Sequence, residues 1–224
     1  MRATAWKLSA VAAVLALAGV AIGFYISSFL MSGPRSVRPP VSGTGGAKDV
    51  DLTIQTVAAV GPKLSPNPEW VSYLVRDRGR WVRSTIWTVP AHSTVHVTVY
   101  QFDGDSGLRN PFMGKVRGTV GNTMNVNGKT LDVLNGDEAS HTFAIPQLGV
   151  IVPLKGVADD APNQCGYAPC PMGNAHNVIT FSFKVPGKGR YRWQCFVPCA
   201  AGWIYGFGGP MQTLGYMDGF IQAV

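Results

Sequence analysis

The sequence predicts an all-β sandwich or small barrel preceded by one apolar helix, and three observations support this prediction. The 224-residue chain contains 27 glycines and 16 prolines but only 14% charged residues, which is typical of short strands joined by tight turns. Short segments rich in β-branched and aromatic residues recur after the N-terminal region. No long amphipathic helical pattern occurs among them, so helices are not expected to build the core.

Residues 1–32 are predicted to form a transmembrane anchor. An almost unbroken apolar run covers residues 8–31, which is longer than the ~20 residues that a helix needs to cross a hydrocarbon core. Arg2 and Lys7 precede the run and favour a cytoplasmic N-terminus, with the rest of the chain on the extracytoplasmic side of the cell membrane. A cleaved signal peptide is the alternative, because Ala-Leu-Ala at residues 16–18 resembles a cleavage site. Cleavage there would leave an apolar new terminus, which favours the uncleaved anchor.

Residues 33–49 are rich in Ser, Gly and Pro and are predicted to form a flexible linker before a folded domain over residues 50–224. The formal net charge of the chain is +7, but its basic residues are scattered, so no nucleic-acid partner is predicted. An anionic membrane surface or an acidic redox partner would suit the excess charge. An ordinary solvated surface is the simpler interpretation.

The strands of this domain are predicted from alternating or β-branched segments bounded by turn residues. They cover residues 49–60, 81–89, 94–102, 123–126, 129–133, 178–185, 190–194 and 219–224. Asn127-Gly128 is a strong signal for a tight hairpin between the fourth and fifth segments. Residues 90–93 and 186–189 are predicted to turn the chain between the second and third segments and between the sixth and seventh.

The chain has four cysteines, and outside the cytoplasm a disulfide is the default expectation for any pair. Cys165 and Cys170 lie in a loop rich in Pro and Gly, where a local loop-closing disulfide is predicted. Metal binding with the nearby His176 is the weaker alternative.

Cys195 and Cys199 are separated by three residues and follow the distant His141. Thiolate and imidazole groups together suit copper in electron transfer. They can meet only if the sandwich packs the ends of their strands side by side. His141 could instead be a core histidine that bonds a backbone carbonyl, but its Ser-His-Thr-Phe context favours a ligand position.

Sequence blocks over residues 90–97, 140–146 and 181–199 stand in a recognisable order, and residues 215–224 form a weaker fourth block. Together they resemble the cupredoxin superfamily, and in particular the extracytoplasmic domain of cytochrome c oxidase subunit II. The resemblance implies a Greek-key cupredoxin-like β-sandwich that binds copper. It implies these metal ligands: His141, Cys195, Cys199 and Met217.

The same resemblance implies a histidine four residues after the second cysteine and a methionine three residues later, which complete a dinuclear copper A centre in that family. Here these positions hold Trp203 and Gly206, and an alignment on Met217 places Leu214 at the histidine position. A standard dinuclear centre is therefore not expected.

Three alternatives remain open for the site. The first is a mononuclear copper held by His141, Cys195 and Met217, with Cys199 in place of the missing histidine. The second borrows a ligand from elsewhere in the chain, the candidates being His92, His96 and His176. The third is a metal-free site in which Cys195 and Cys199 form a disulfide.

The predicted function is that of a membrane-anchored electron-transfer module or a subunit II-like component of a respiratory oxidase, binding copper at an atypical site. The expected partners are membrane lipid, respiratory oxidase subunits and a redox donor protein, and oxygen chemistry would belong to a partner subunit. The alternative is a metal-free structural or assembly subunit. Copper delivery is weaker because the methionines are scattered, and no Gly-x-Ser-x-Gly elbow or paired-carboxylate cluster supports a hydrolase.

Overall fold

The computed structural model describes residues 2–25, 34–43, 48–107, 110–199 and 209–224. These belong to two compact units, Met1–Gly33 and Pro34–Val224. The first unit contains helix α1 (Arg2–Tyr25), whose larger apolar side chains, Val14, Leu15, Leu17 and Val20 among them, are exposed.

A search of the described residues finds no helix that is both long and apolar enough to cross a membrane. The transmembrane helix predicted over residues 1–32 is thus not found. Helix α1 ends at Tyr25, and residues 26–33 lie outside the described residues.

The second unit is built from thirteen described strands and one short helix, α2 (Pro111–Gly114). The strands are β1 (Val41–Ser42), β2 (Lys48–Val57), β3 (Ser72–Asp77), β4 (Arg80–Val82), β5 (Ile86–Val89), β6 (Ser93–Gln101), β7 (Met124–Val126), β8 (Lys129–Leu131), β9 (Ala139–Ile145), β10 (Val150–Lys155), β11 (Asn177–Lys184), β12 (Gly189–Gln194) and β13 (Asp218–Ala223).

These strands form two sheets. The larger sheet has the order β4-β3-β2-β6-β11-β7-β8, with β1 paired to β2, and the smaller has the order β10-β9-β12-β13-β5. The pairs β2·β6 and β5·β13 are parallel and the others are antiparallel. Because the chain passes from one sheet to the other five times, after β4, β5, β8, β10 and β11, neighbouring strands are often distant in sequence. The predicted all-β sandwich is confirmed.

The core lies between the two sheets and is rich in aromatic rings. Trp193 of β12 stacks on Trp87 of β5 with ring centroids 4.6 Å apart, and Tyr73 of β3 meets Trp193 edge-on at 4.8 Å. Phe143 of β9 lies 5.4 Å from Phe181 of the opposite sheet. All five rings are buried, so they tie the two sheets together beneath the ends of β9 and β12.

The predicted hairpin at Asn127-Gly128 is confirmed. Asn127 and Gly128 have φ values of 50° and 89°, and they join β7 directly to β8. Two successive positive φ values match the right-handed twist of the strands, which is why this dipeptide favours tight hairpins.

One predicted strand, residues 81–89, is wrong, because the chain there divides between the two sheets. Strand β4 pairs with β3 in the larger sheet, whereas β5 pairs with β13 in the smaller one. Between them the Ser84 hydroxyl donates to the carbonyl of Arg35, and the Trp87 indole N–H donates to the carbonyl of Ser84. These two bonds, one of them to a residue distant in sequence, hold the bend, which the β-branched composition on both sides does not reveal. Strands β1, β3, β9 and β10 lie outside the predicted segments.

Part of the segment predicted as a linker is integrated into the second unit. Val37 exchanges backbone hydrogen bonds with β5, donating to Ile86 and accepting from Thr88. Val41 pairs with Val50 in register with β2. The ordered chain of this unit therefore begins before residue 50, the predicted start of the domain.

Candidate metal centre

The candidate site lies where β9 and β12 run side by side. His141 belongs to β9, and Cys195 follows directly after β12, which pairs with β9 through Gln194 and Ala144. Side chains two residues apart share a face of a strand, so His141 lies above the buried Phe143 and Cys195 above the buried Trp193. The aromatic core thus supports both ligand-bearing strands.

His141, Cys195 and Cys199 converge on one point. Nδ1 of His141 lies 2.9 Å from Sγ of Cys199 and 4.0 Å from Sγ of Cys195, and the two sulfur atoms are 3.3 Å apart. All three residues are buried, with His141 only 2% exposed. The predicted meeting of the distant histidine with the thiol pair is therefore found.

The backbone of β9 also reaches the sulfur of Cys195. The Thr142 N–H lies 3.3 Å from this sulfur, and the Thr142 hydroxyl accepts a 2.7 Å hydrogen bond from the N–H of Phe196. The N–H of Cys195 in turn donates to the carbonyl of Met217 at 3.0 Å. These bonds fix the first turn of the thiol loop against two neighbouring strands.

The two thiols have opposite acidities. Burial by itself would raise the pKa of Cys195, but hydrogen bonding from Cys199 and His141 and the Thr142 N–H outweigh it and hold that pKa well below its usual value. The pKa of Cys199 is raised well above its usual value, first by its hydrogen bond to Cys195 and then by burial. Cys195 is thus the more acidic thiol of the pair.

Asp103, which was not identified from the sequence, lies on the far side of the imidazole. Its Oδ2 is 3.0 Å from Nε2 of His141. This contact is an ion pair when the imidazole is protonated. The other carboxylate oxygen, Oδ1, accepts a 2.8 Å bond from the N–H of Gly104, which fixes the carboxylate.

The contact between Asp103 and His141 shifts both pKa values. Burial by itself would lower the pKa of His141, but contacts with Asp103 and Cys195 raise it to about 9. Burial by itself would raise the pKa of Asp103, yet its contact with His141 leaves it below the usual value. In the metal-free site these shifts favour the charged forms of Asp103, His141 and Cys195, which alternate in sign along the row. Bound metal would take the place of a proton on Nδ1.

A cleft of about 190 Å³ gives access to the site. His141, Asp103 and Cys199 lie on its wall, together with Val197 and Pro198 of the thiol loop. Cys195 does not line the cleft and is fully buried. An ion entering from solvent would therefore meet Cys199 and His141 before Cys195.

The donor set fits copper. Two sulfur atoms and one imidazole nitrogen form the group of His and Cys side chains able to hold a metal ion within the described residues. Thiolates select soft ions such as Cu(I), and imidazole suits copper in both oxidation states.

The other predicted ligands have different outcomes. Met217 is buried beside the site and accepts the Cys195 backbone bond, while ligation by its side chain stays a prediction. None of the three histidines considered as borrowed ligands belongs to the described His/Cys group. His96 bonds Asp49 and Ser182 on the surface, and His176 packs against Phe102.

Of the positions where the family has its second histidine and its methionine, Trp203 and Gly206 lie outside the described residues. Leu214, the alternative histidine position, lies in the described segment 209–224. Cys195 and Cys199 are free thiols. Cys165 and Cys170 form the predicted local disulfide.

Replacing Asp103 with Asn is expected to weaken copper binding by about 10–100-fold, the usual effect of losing an outer-shell partner of a metal-bound histidine. Without the carboxylate charge the pKa of His141 should also fall from about 9. NMR titration of the imidazole in the metal-free protein and a competition assay for copper would measure both effects.

The matched control is Asp49→Asn, which removes the carboxylate that lies 3.1 Å from the exposed His96. It should leave copper binding unchanged.

The pKa of Asp103 is lowered in the fold, so the ionised Asp103 carboxylate stabilises the folded state at pH values above the usual carboxyl pKa. That contribution disappears as the pH falls through the lowered value. The Asp103→Asn variant should lack this acid-dependent loss, and equal acid sensitivity of this variant and the wild type would contradict the assignment.

Comparison with known proteins gives a distant similarity. No family model and no curated protein matches the chain. Among solved structures, reduced rusticyanin is 16% identical, with a TM-score of 0.33 over 83% of this chain and 89% of that one. A structure described as the copper protein rusticyanin is 16% identical, with a TM-score of 0.30 over 89% of this chain and 92% of that one.

Rusticyanin from Thiobacillus ferrooxidans is 17% identical, with a TM-score of 0.28 over the same shares of the two chains, 89% and 92%. These TM-scores are too low to support a conclusion about function. The evidence for a metal site is the geometry of His141, Cys195 and Cys199.

Proposed function

We propose that this chain is a cupredoxin-like electron-transfer protein that holds one copper ion between His141, Cys195 and Cys199, with Met217 as a weak additional ligand. The convergence of one imidazole nitrogen and two sulfur atoms in a buried position supports the proposal most strongly. Copper bound there would supply a one-electron redox couple.

The surroundings of the site suit electron transfer because they are rigid. The ligand-bearing strands are paired to each other and rest on stacked aromatic rings, so the donor atoms would keep their positions when the charge of the ion changes. Burial of the sulfur atoms excludes water from them, while the cleft beside Cys199 leaves one side near the surface for a redox partner.

We also propose that the chain is attached to the extracytoplasmic face of the cell membrane and exchanges electrons with a donor protein and respiratory oxidase subunits. The apolar run over residues 8–31 and the exposed apolar side chains of α1 support attachment to lipid. The sequence blocks similar to oxidase subunit II support the choice of partners. Extraction of native membranes with carbonate should leave the protein in the pellet, and release into the supernatant would contradict the attachment.

Copper loading tests the metal site directly. The full-length chain would be reduced in neutral detergent without oxygen, incubated with copper and desalted. We expect one copper per chain and a visible thiolate-to-copper absorption band. His141→Ala should lose both, whereas the matched control His96→Ala should keep them, because His96 bonds only surface groups.

The contrary result would favour the alternative function. The sulfur atoms of Cys195 and Cys199 are 3.3 Å apart, close enough to couple after a small movement when no metal holds them. Failure to retain copper after full reduction, together with a Cys195–Cys199 disulfide in the protein isolated from cells, would indicate a metal-free structural or assembly subunit.

A further inference from the structure

We propose that a second site, at the opposite margin of the larger sheet from β8, binds a phosphate-type oxyanion. It is a cleft of about 590 Å³ between residues 35–40 and the turn that joins β3 to β4. Its lining carries four arginines and two aspartates: Arg35, Arg38, Arg76, Arg78, Asp51 and Asp77. We call it the arginine cleft.

The charges of the arginine cleft are not neutralised within the described part of the chain. None of its four guanidinium groups forms an ion pair there, not even with the two aspartates that share the cleft. Arg76 lies over the ring of Trp81, with its guanidinium carbon 5.3 Å from the ring centroid. All four arginines are exposed.

Backbone pairing brings these arginines together from separate parts of the chain. Val37, between Arg35 and Arg38, is hydrogen-bonded to β5, which fixes the first segment against the sandwich. Arg76 belongs to β3, and Arg78 follows in the tight turn to β4 with a φ of 47°. The fold therefore places these arginines on the wall of one cleft, with space for a ligand.

A phosphate group complements this arrangement. Four positive and two negative side chains leave a local excess of positive charge, which inorganic phosphate or the singly charged phosphodiester of an anionic phospholipid would balance. Guanidinium groups bind phosphate through paired N–H donors, whereas a chloride ion could not use this geometry. Bound phosphate would also relieve the repulsion among the arginines.

Two sources of phosphate share this chemistry, free inorganic phosphate and the headgroup of an anionic phospholipid. Arg35 and Arg38 follow closely after the apolar run that ends at residue 31. If that run contacts a membrane, lipid headgroups would lie near these two arginines. That part of the inference rests on the proposed membrane attachment. Phosphate binding itself depends on neither the membrane nor the copper site.

Calorimetry at low ionic strength would measure inorganic phosphate binding to the full-length chain in neutral detergent. A second arm would compare binding to vesicles of phosphatidylcholine with and without phosphatidylglycerol. The variant is Arg38→Gln with Arg78→Gln, and the control is Lys129→Gln with Lys188→Gln, which removes the same charge outside the cleft. We expect the arginine variant to bind phosphate at least about tenfold more weakly and the lysine variant to match the wild type.

Phosphate binding that is lost in the arginine variant alone supports the site. Binding restricted to phosphatidylglycerol vesicles, with the same dependence on arginine, also supports it and assigns the lipid headgroup. Absence of both kinds of binding overturns the proposal, as does an equal loss in the lysine control. Each single arginine substitution would be measured as well, so that a misfolded double variant does not decide the result.

Discussion

Replacing Cys195 with Ser is expected to weaken the thiolate-to-copper absorption band strongly, more than Cys199→Ser does, and to weaken copper binding by more than about 100-fold, beyond the loss of an outer-shell group. The thiolate is the form of cysteine that ligates metal, and the environment of Cys195 holds its pKa well below the usual value. A serine hydroxyl is not ionised at neutral pH and cannot supply this ligand. Absorption spectra and copper competition at neutral pH would measure the change.

Cys199→Ser is the matched control, because Cys199 lies in the same loop and its pKa is raised rather than lowered. It should keep a thiolate-to-copper band, shifted and weaker, since Cys195 remains. Both substitutions put a hydroxyl in a buried place, and such a group costs about 1–3 kcal/mol if it has no hydrogen-bond partner. Circular dichroism would confirm that each variant folds. Loss of the band in Cys199→Ser but not in Cys195→Ser would reverse the assignment of the thiolate.

The sequence predicted the sandwich because strand segments of the core alternate clearly between buried and exposed residues. In β6 and β11 this alternation is plain, and Asn127-Gly128 marks the turn between β7 and β8 without help from the rest of the chain. The break between β4 and β5 could not be predicted in the same way. It depends on a hydrogen bond from Ser84 to Arg35, a residue far away in sequence that was expected to lie in a linker.

The metal centre was predicted only in part, because one of its residues is brought to the site by the fold alone. His141, Cys195 and Cys199 have side chains that suggest copper by their chemistry alone, and their sequence context supports a site. Asp103 carries no comparable signal, since a carboxylate in a turn after a strand is usually solvated. Only the fold shows that this turn meets the imidazole of His141, with its carboxylate 3.0 Å from Nε2.

Trp193→Ala is expected to destabilise the second unit by about 3–5 kcal/mol, the usual cost of removing a large buried aromatic side chain. Trp193 has no exposed surface and contacts the rings of Trp87, Tyr73 and Phe143. Its indole N–H also donates to the carbonyl of Thr85 at 3.1 Å. For a unit of this size the loss corresponds to a decrease in Tm of about 6–20 °C. Thermal unfolding of the metal-free chain would measure it.

Trp81→Ala and Trp193→Phe separate the causes of that loss. Trp81 is only partly buried, so its removal should cost clearly less than the removal of Trp193. Trp193→Phe keeps an aromatic ring in the stack, and the Thr85 carbonyl still accepts a 2.9 Å bond from the N–H of Phe220. This variant should therefore lie between alanine and the wild type. If all three substitutions lowered Tm equally, the aromatic stack would not be the support of β12, and the rigidity assigned to Cys195 would need another source.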